Sequence, residues 1–187
     1  EKAQLWWPLK LEKDRAFVLV LQETRLQLKQ INLPNGELSV LKDWGSDPVR
    51  DFSFGGSTVT YQRQLDAKKF AVERLNLLTK KTIQLVTFKE AWLAPLVVDQ
   101  KVLISRSRSA TEGRLVAWSK NGLQDGPTLG AGAPIPVKAF GSHALIRLQS
   151  QTAQTYFVWD SSNDQIIKLN TLGKLLDSVH MHEGHQP

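Results

Sequence analysis

The sequence predicts an all-β protein in which a four-stranded unit of about 43 residues occurs four times in succession. Two observations lead to this fold class. Short polar or glycine turns recur at a constant spacing, and the segments between them alternate apolar and polar residues with the period of two that is typical of strands burying one face. The chain has 187 residues, 41% hydrophobic and 22% charged, which is the composition of a packed domain with a sizeable core.

The first set of turns precedes the second strand of each unit. These turns share a polar or glycine composition and lie at residues 13–15, 55–57, 99–101 and 141–143. Each is followed by a β-branched or aliphatic run. Residues 14, 57, 100 and 143 mark the equivalent positions, and each of the three steps between them is 43 residues. Such regular spacing indicates an internal repeat.

A second set of turn signals follows the third strand of each unit. These signals lie at residues 34–36, 78–80, 120–122 and 162–164. Counted from residues 35, 79, 121 and 163, the steps are 44, 42 and 42 residues. Strand, tight turn, strand, loop, strand, tight turn, strand is the order of one β-propeller blade. Helix content should be low, because no segment keeps a helical period for more than a turn or two.

The repeat predicts a β-propeller domain over residues 1–179, followed by a flexible tail at 180–187. Its four blades should lie at about residues 9–46, 47–91, 92–134 and 135–172. Residues 173–179 form an extra strand-like piece that belongs to no complete unit. That piece either closes a ring of four blades or pairs with a further blade of a larger propeller.

The second and fourth repeats resemble blades of the TolB-like and WD-repeat propellers. The residues that carry the resemblance are 54–61 (FGGSTVTY), 75–79 and Leu85 in the second repeat, and 140–146 (FGSHALI), 158–160 (VWD) and Leu169 in the fourth. TolB-like propellers are typically periplasmic and bind protein partners, and related propellers act as sensor domains or as filters beside a peptidase domain. The resemblance therefore implies binding rather than chemistry.

Two functions follow from this interpretation. The first is a non-enzymatic binding or sensing propeller, an extracytoplasmic protein-interaction or sensor domain in the periplasm or cell envelope. The alternative is an accessory filter propeller of a peptidase, or a propeller hydrolase or lyase. The sequence has no cysteine, which excludes disulfides, thiolate metal sites and cysteine nucleophiles. No apolar run approaches the roughly 20 residues that a membrane helix needs, and no cofactor is expected.

Two groups of polar residues could suggest catalysis. The segment at residues 141–143, which contains Ser142, lacks the Gly-x-Ser-x-Gly pattern of a nucleophile elbow and is interpreted as a hairpin turn. Asp160 and Asp164 could form an acid/base pair, but carboxylates beside a turn usually accept backbone N–H groups. We therefore expect no catalytic residues here.

One group of residues resembles a metal site. His180, His182 and His185 lie close to Glu183, and the first two would share a face if the segment were extended. This cluster lies in the last residues of the chain, where proteins usually fray. We expect a mobile tail and no functional metal site.

Basic residues suggest the face that binds a partner. The net charge is +6, and residues 101–150 hold seven Lys or Arg against two Asp or Glu. The run at residues 105–109 (SRSRS) is placed in the loop between the second and third strands of its blade. The predicted partner-binding residues in these loops are Arg25, Lys68, Lys69, Arg106 and Arg108. They should dock an anionic segment of a protein partner or of a second copy of the chain.

The distribution of aromatic residues leads to two further expectations. The basic loops carry no aromatic platforms, so nucleic-acid binding is not expected. Six tryptophans are many for this length. They should pack mostly between blades, and the alternative is a protruding Trp that anchors a partner.

Overall fold

The computed structural model describes residues 4–89, 94–109 and 111–169. This part of the chain forms sixteen β-strands and no helix, which confirms the all-β prediction. Blade 1 consists of β1 to β4, at Gln4–Leu11, Arg15–Gln22, Arg25–Asn32 and Leu38–Gly45. Blade 2 consists of β5 to β8, at Val49–Gly55, Thr58–Asp66, Lys69–Asn76 and Thr82–Phe88.

The second half of the chain repeats this arrangement. Blade 3 consists of β9 to β12, at Pro95–Val98, Lys101–Ser109, Glu112–Ser119 and Gly122–Asp125. Blade 4 consists of β13 to β16, at Ala133–Phe140, His143–Gln149, Gln154–Asp160 and Gln165–Leu169. Each blade is a four-stranded antiparallel sheet in which the strands follow sequence order. The predicted extra strand at 173–179 and tail at 180–187 lie outside the described residues.

The chain divides into two compact units, Glu1–Val97 and Val98–Pro187. Unit 1 contains blades 1 and 2, and unit 2 contains most of blade 3 and all of blade 4. Among the described residues there is no helix of the length and hydrophobicity needed to cross a membrane.

The core of unit 1 joins side chains from both of its blades. Phe17 and Leu28 of blade 1 are fully buried together with Val59 and Tyr61 of blade 2. Trp44 meets the Tyr61 ring edge-on, with 5.0 Å between the ring centroids, a geometry that aromatic pairs favour. Burying each such side chain stabilises the fold by roughly 1.5–3 kcal/mol.

The first strands of blades 1 and 4 share an irregularity. The register of β1 shifts between Pro8 and Lys10, and that of β13 shifts between Pro136 and Lys138. Each of these strands lies at the edge of its sheet, where a proline costs no ladder hydrogen bond. Pro-aliphatic-Lys is therefore a further repeated signal, which marks a bulge at equivalent places in two blades.

In unit 2, blades 3 and 4 pack through small residues. Ser105 Oγ lies 2.9 Å from Ser107 Oγ and also donates to the Pro134 carbonyl oxygen. The backbone N–H of Gly113 donates to the Gly132 carbonyl oxygen at 3.0 Å. Small side chains here let backbones approach closely, and their hydroxyls satisfy carbonyl groups that the packing buries.

Candidate functional site

The candidate site lies in unit 1, where residues 46–48 connect β4 to β5. Two cavities meet there because both are lined by Asp47. One, of about 370 Å³, carries most of the charged side chains and is called the polar pocket. The other, of about 360 Å³, is lined mainly by aliphatic and aromatic side chains and is called the apolar groove.

A buried carboxylate lines the polar pocket. Glu73 on β7 is only 5% exposed. Its Oε1 accepts hydrogen bonds from Arg63 Nε at 2.9 Å and Arg63 Nη2 at 2.8 Å, and its Oε2 accepts one from Tyr61 Oη at 3.0 Å. The register places Tyr61 directly opposite Glu73. A charge this deeply buried needs such partners, because desolvation would otherwise destabilise the fold.

Arg63 links this carboxylate to the rim of the pocket. Its Nη1 donates to Asp47 Oδ2 at 3.1 Å. Partial burial by itself would lower the pKa of Arg63, but the hydrogen bonds to Glu73 and Asp47 outweigh it and raise that pKa above its ordinary value. Burial raises the pKa of Tyr61 to about 12, and the Glu73 carboxylate adds to the effect. Both groups therefore stay protonated at neutral pH and act as hydrogen-bond donors.

Asp43 forms a second ionic cluster at the edge of the polar pocket. Its carboxylate accepts hydrogen bonds from Gln27 Nε2 at 2.7 Å, from the Gly45 backbone N–H at 2.8 Å and from Arg25 Nη2 at 2.8 Å. These contacts, with the bond from Gln27 the largest influence, lower the pKa of Asp43 to about 2. Arg25, a predicted partner-binding residue, is the first residue of β3. It is ion-paired with Asp43, although 66% of its side chain is exposed.

The apolar groove runs across blade 1 and is bordered by the start of blade 2. Trp7 on β1, Leu21 on β2 and Leu26 on β3 form its floor, and Pro48 and Val49 border it. The register pairs Leu21 with Leu26, so alternate apolar residues of neighbouring strands share this face. The groove was not predicted from the sequence, in which the available signal was the alternate apolar residues of β2 together with Trp7.

The tryptophans divide between the two expected roles. Trp44 and Trp159 are 6% and 1% exposed, whereas Trp6 and Trp7 are 44% and 43% exposed. Trp44 packs in the core between blades 1 and 2, as the sequence predicts for most tryptophans. Trp7 is exposed and lines the groove, and its role as an anchor for a partner stays a prediction. Trp92 lies outside the described residues.

The other predicted basic residues of unit 1 share one turn. Lys68 lies between β6 and β7, Lys69 is the first residue of β7, and both are exposed. The Lys68 backbone N–H donates to Asp66 Oδ1 at 2.8 Å, and Gln64 Nε2 donates to the Asp66 carbonyl oxygen at 3.1 Å. The turn is therefore held by its own hydrogen bonds while it presents two adjacent ammonium groups.

The predicted placement of the run at residues 105–109 in a loop is wrong. Strand β10 continues through Ser109. Ser105 and Ser107 are buried and Arg106 is half-buried. The serines can lie inside the strand because their hydroxyls have hydrogen-bond partners within unit 2. Arg108 lies on the same strand, and its side chain is outside the described part of the structure. Arg106 and Arg108 belong to unit 2, apart from the unit 1 residues Arg25, Lys68 and Lys69.

Of the two turn-flanking carboxylates, Asp160 accepts a backbone N–H as the sequence predicts, whereas Asp164 forms an ion pair. Asp160 Oδ1 accepts the Ser162 backbone N–H at 2.9 Å, and this bond is the main cause that lowers the pKa of Asp160. Asp164 lies 3.5 Å from Lys101 Nζ in an ion pair. Ser142 Oγ lies 3.2 Å from His143 Nδ1 in the exposed β13–β14 turn.

The predicted histidine cluster at His180, His182, His185 and Glu183 lies outside the described residues. Within the ranges 4–89, 94–109 and 111–169, no group of three or more His, Cys, Asp or Glu side chains could hold a metal ion.

Comparison with known proteins shows the fold. No protein-family model matches the chain, and no curated protein matches its sequence. TolB from Acinetobacter baumannii superposes with a TM-score of 0.67 at 9% identity, over 90% of this chain and 43% of that chain. A putative TolB from Agrobacterium tumefaciens gives a TM-score of 0.61 at 10% identity, over 83% of this chain and 60% of that chain.

A third similar structure comes from a peptidase. The β-propeller domain of the Trilobed protease from Pyrococcus furiosus, described as having an open velcro topology, gives a TM-score of 0.63 at 7% identity, over 83% of this chain and 53% of that chain. The chain thus spans about half the length of these structures. Its fold is that of TolB-like and other β-propellers, with four blades that form either a four-bladed propeller or part of a larger one.

Proposed function

We propose that this propeller is a non-enzymatic binding or sensing module, a protein-interaction or sensor domain that docks an anionic segment of a protein partner or of a second copy. The observation that carries the proposal is the β6–β7 turn, where Lys68 and Lys69 are exposed side by side on a backbone held by Asp66. A preorganised turn loses little conformational freedom on binding, and two adjacent cations raise the local positive potential.

The chemistry of the polar pocket supports binding over catalysis. Glu73 is fully engaged by Arg63 and Tyr61, and Tyr61 has a pKa of about 12. Asp43, with a pKa of about 2, is equally far from neutrality. A general acid or base works best with a pKa near the working pH. These groups are arranged to hold a shape rather than to exchange protons.

Arg106 and Arg108 form the second part of the proposed basic surface, in unit 2. Arg106 is half-buried on β10, and Arg108 follows it on the same strand. Arg25 contributes less than an unpaired cation would, because Asp43 already neutralises it.

The proposed location is the periplasm or cell envelope. The likeness to two TolB structures supports it, and the absence of cysteine fits an oxidising compartment. Fractionation of the source cells tests this proposal, and recovery of the chain in the cytosolic fraction alone would contradict it. The second candidate function is an accessory propeller of a peptidase, which the likeness to the Trilobed protease domain favours.

The test of the basic site reverses its charge. K68E/K69E should weaken binding of a fluorescent Glu- and Asp-rich dodecapeptide about tenfold in low salt, and wild-type binding should weaken as salt rises. K80E/K81E is the matched control, because it changes the same charge on an exposed lysine pair of the β7–β8 connection. Equal losses in the two variants, or no loss in either, would mean that the β6–β7 turn is not the docking site.

A further inference from the structure

A second binding surface follows from the apolar groove. The groove crosses all four strands of blade 1, because Leu21 pairs with Leu26 and Leu26 pairs with Gly45. Trp7 on β1 lies opposite Leu19, two residues from Leu21 on β2. Three strand spacings of about 4.8 Å make the groove about 14 Å long. Four residues of an extended chain, at about 3.3 Å each, cover that length. The dimensions therefore suit a short extended peptide.

The apolar end of the groove offers an anchor position. Trp7 is 43% exposed although it lies beside the buried Leu19, so the cross-strand row of apolar side chains extends beyond the part that blade 2 covers. Exposed aromatic side chains next to a preformed concavity are the usual anchors of protein interfaces. An apolar side chain of a partner would complete the packing that blade 2 leaves unfinished there.

The other end of the groove has the opposite character. The Asp47 side chain is 50% exposed. Of its two carboxylate oxygens, Oδ2 accepts the hydrogen bond from Arg63 Nη1. Its Oδ1 has no hydrogen-bond partner among the described residues. The neighbouring carboxylates differ, because Glu73 and Asp43 each have two or more donors. A cation entering the groove would therefore be attracted to Asp47.

The geometry points to a site for an extended peptide segment of a protein partner in which a large apolar side chain lies within three residues of a Lys or Arg. The apolar side chain packs against Trp7, Leu21 and Leu26, and the cationic side chain reaches Asp47. This inference rests on the proposed role in protein binding, but it uses none of the basic residues of that proposal. The two surfaces take segments of opposite charge.

The test selects peptides without assuming a partner. A displayed library of random heptapeptides is selected on the immobilised chain, and the enriched sequences are synthesised and titrated by fluorescence anisotropy. Enriched sequences should pair an aromatic or large aliphatic residue with a nearby Lys or Arg. The selection is repeated on K68E/K69E, which removes the proposed site for acidic sequences. If that selection enriches no sequence pairing an apolar residue with a nearby Lys or Arg over the unselected library, the inference is overturned.

Two adjacent tryptophans supply a matched control. Trp6 and Trp7 are almost equally exposed, but Trp6 lies on the other face of β1, where Lys29 Nζ is 5.6 Å from its ring centroid. W7A should weaken peptide binding about tenfold, as expected for an interface anchor, whereas W6A should change it less than about twofold. D47N should weaken the binding of peptides that contain Lys or Arg about threefold and leave the binding of neutral analogues unchanged.

Variants also distinguish a peptide from other occupants of the groove. S46W, which starts from an exposed position beside the groove, should block peptide binding without removing any core side chain. Equal losses in W6A and W7A would contradict a groove-specific site. Binding to phosphatidylglycerol vesicles that depends equally on both tryptophans would instead show a lipid surface. Loss of acidic-peptide binding in K68E/K69E tests only the proposed basic site, so failure of one idea leaves the other intact.

Discussion

Units 1 and 2 pack pairs of similar blades in two different ways. Unit 1 packs Trp44 against Tyr61, and beside them the half-buried Arg63 pairs with the buried Glu73. Unit 2 brings strands of blades 3 and 4 together through Ser105 and Gly113. The comparison teaches that one blade topology accepts either large and charged contacts or small and close ones. In unit 1, the large side chains border the cavities from which the candidate site is made.

The largest expected effect comes from breaking the ionic contact of unit 1. R63M leaves Glu73 buried with Tyr61 as its remaining donor, and an uncompensated buried charge destabilises a fold by about 3 kcal/mol or more. Urea unfolding should show this loss. R25M is the matched control, because Arg25 pairs with Asp43 at the surface, where ion pairs contribute less than about 1 kcal/mol. Equal losses of unfolding free energy in R63M and R25M would show that the Arg63–Glu73 contact stabilises the fold no more than the surface Arg25–Asp43 pair.

A smaller effect is expected at the close contact of unit 2. A Cβ added at Gly113 would lie 2.9 Å from Ser107 Oγ and 3.0 Å from the Arg106 carbonyl oxygen. Since one of these atoms is backbone, G113A should force β10 to shift and destabilise the fold by about 1–2 kcal/mol. Q124A, an exposed change on β12, should stay within about 0.5 kcal/mol of the parent in thermal or urea unfolding. A neutral G113A would show that β10 and β11 approach each other less closely at Ser107 and Gly113 than described.

The smallest expected effect concerns pH and the surface cluster of unit 1. The folded pKa of Asp43 is about 2, below its ordinary value of 3.8, chiefly because Gln27 and the Gly45 N–H bind the ionised form. A depressed carboxyl pKa stabilises the fold at pH values above 3.8, and this contribution is lost as the pH falls through about 2. The melting temperatures of the parent and D43N should therefore differ at neutral pH and converge between pH 4 and 2. A melting-temperature difference that stays constant from pH 4 to pH 2 would contradict the lowered pKa of Asp43.

Much of the fold could be predicted from local patterns. The two turn spacings predict four blades of four strands, and the structure has them because a turn and its flanking strands are set by nearby residues. The role of Asp160 was predictable for the same reason, since its partner Ser162 is two residues away. The loop prediction for residues 105–109 is wrong because an all-polar run gives no apolar strand pattern, whereas Ser105 bonds a carbonyl oxygen 29 residues along the chain.

The sequence by itself determined the strand periodicity, the number of blades and the position of the charged turn at Lys68 and Lys69. Only the tertiary structure decided which of those charges are available: Arg25 is paired with Asp43 across 18 residues, and Lys68 and Lys69 are exposed. It alone also brought Trp7 and Asp47 to the two ends of one groove. The physical reason is that alternation along a strand is local, but the neighbour of each side chain depends on strand register and on packing between blades.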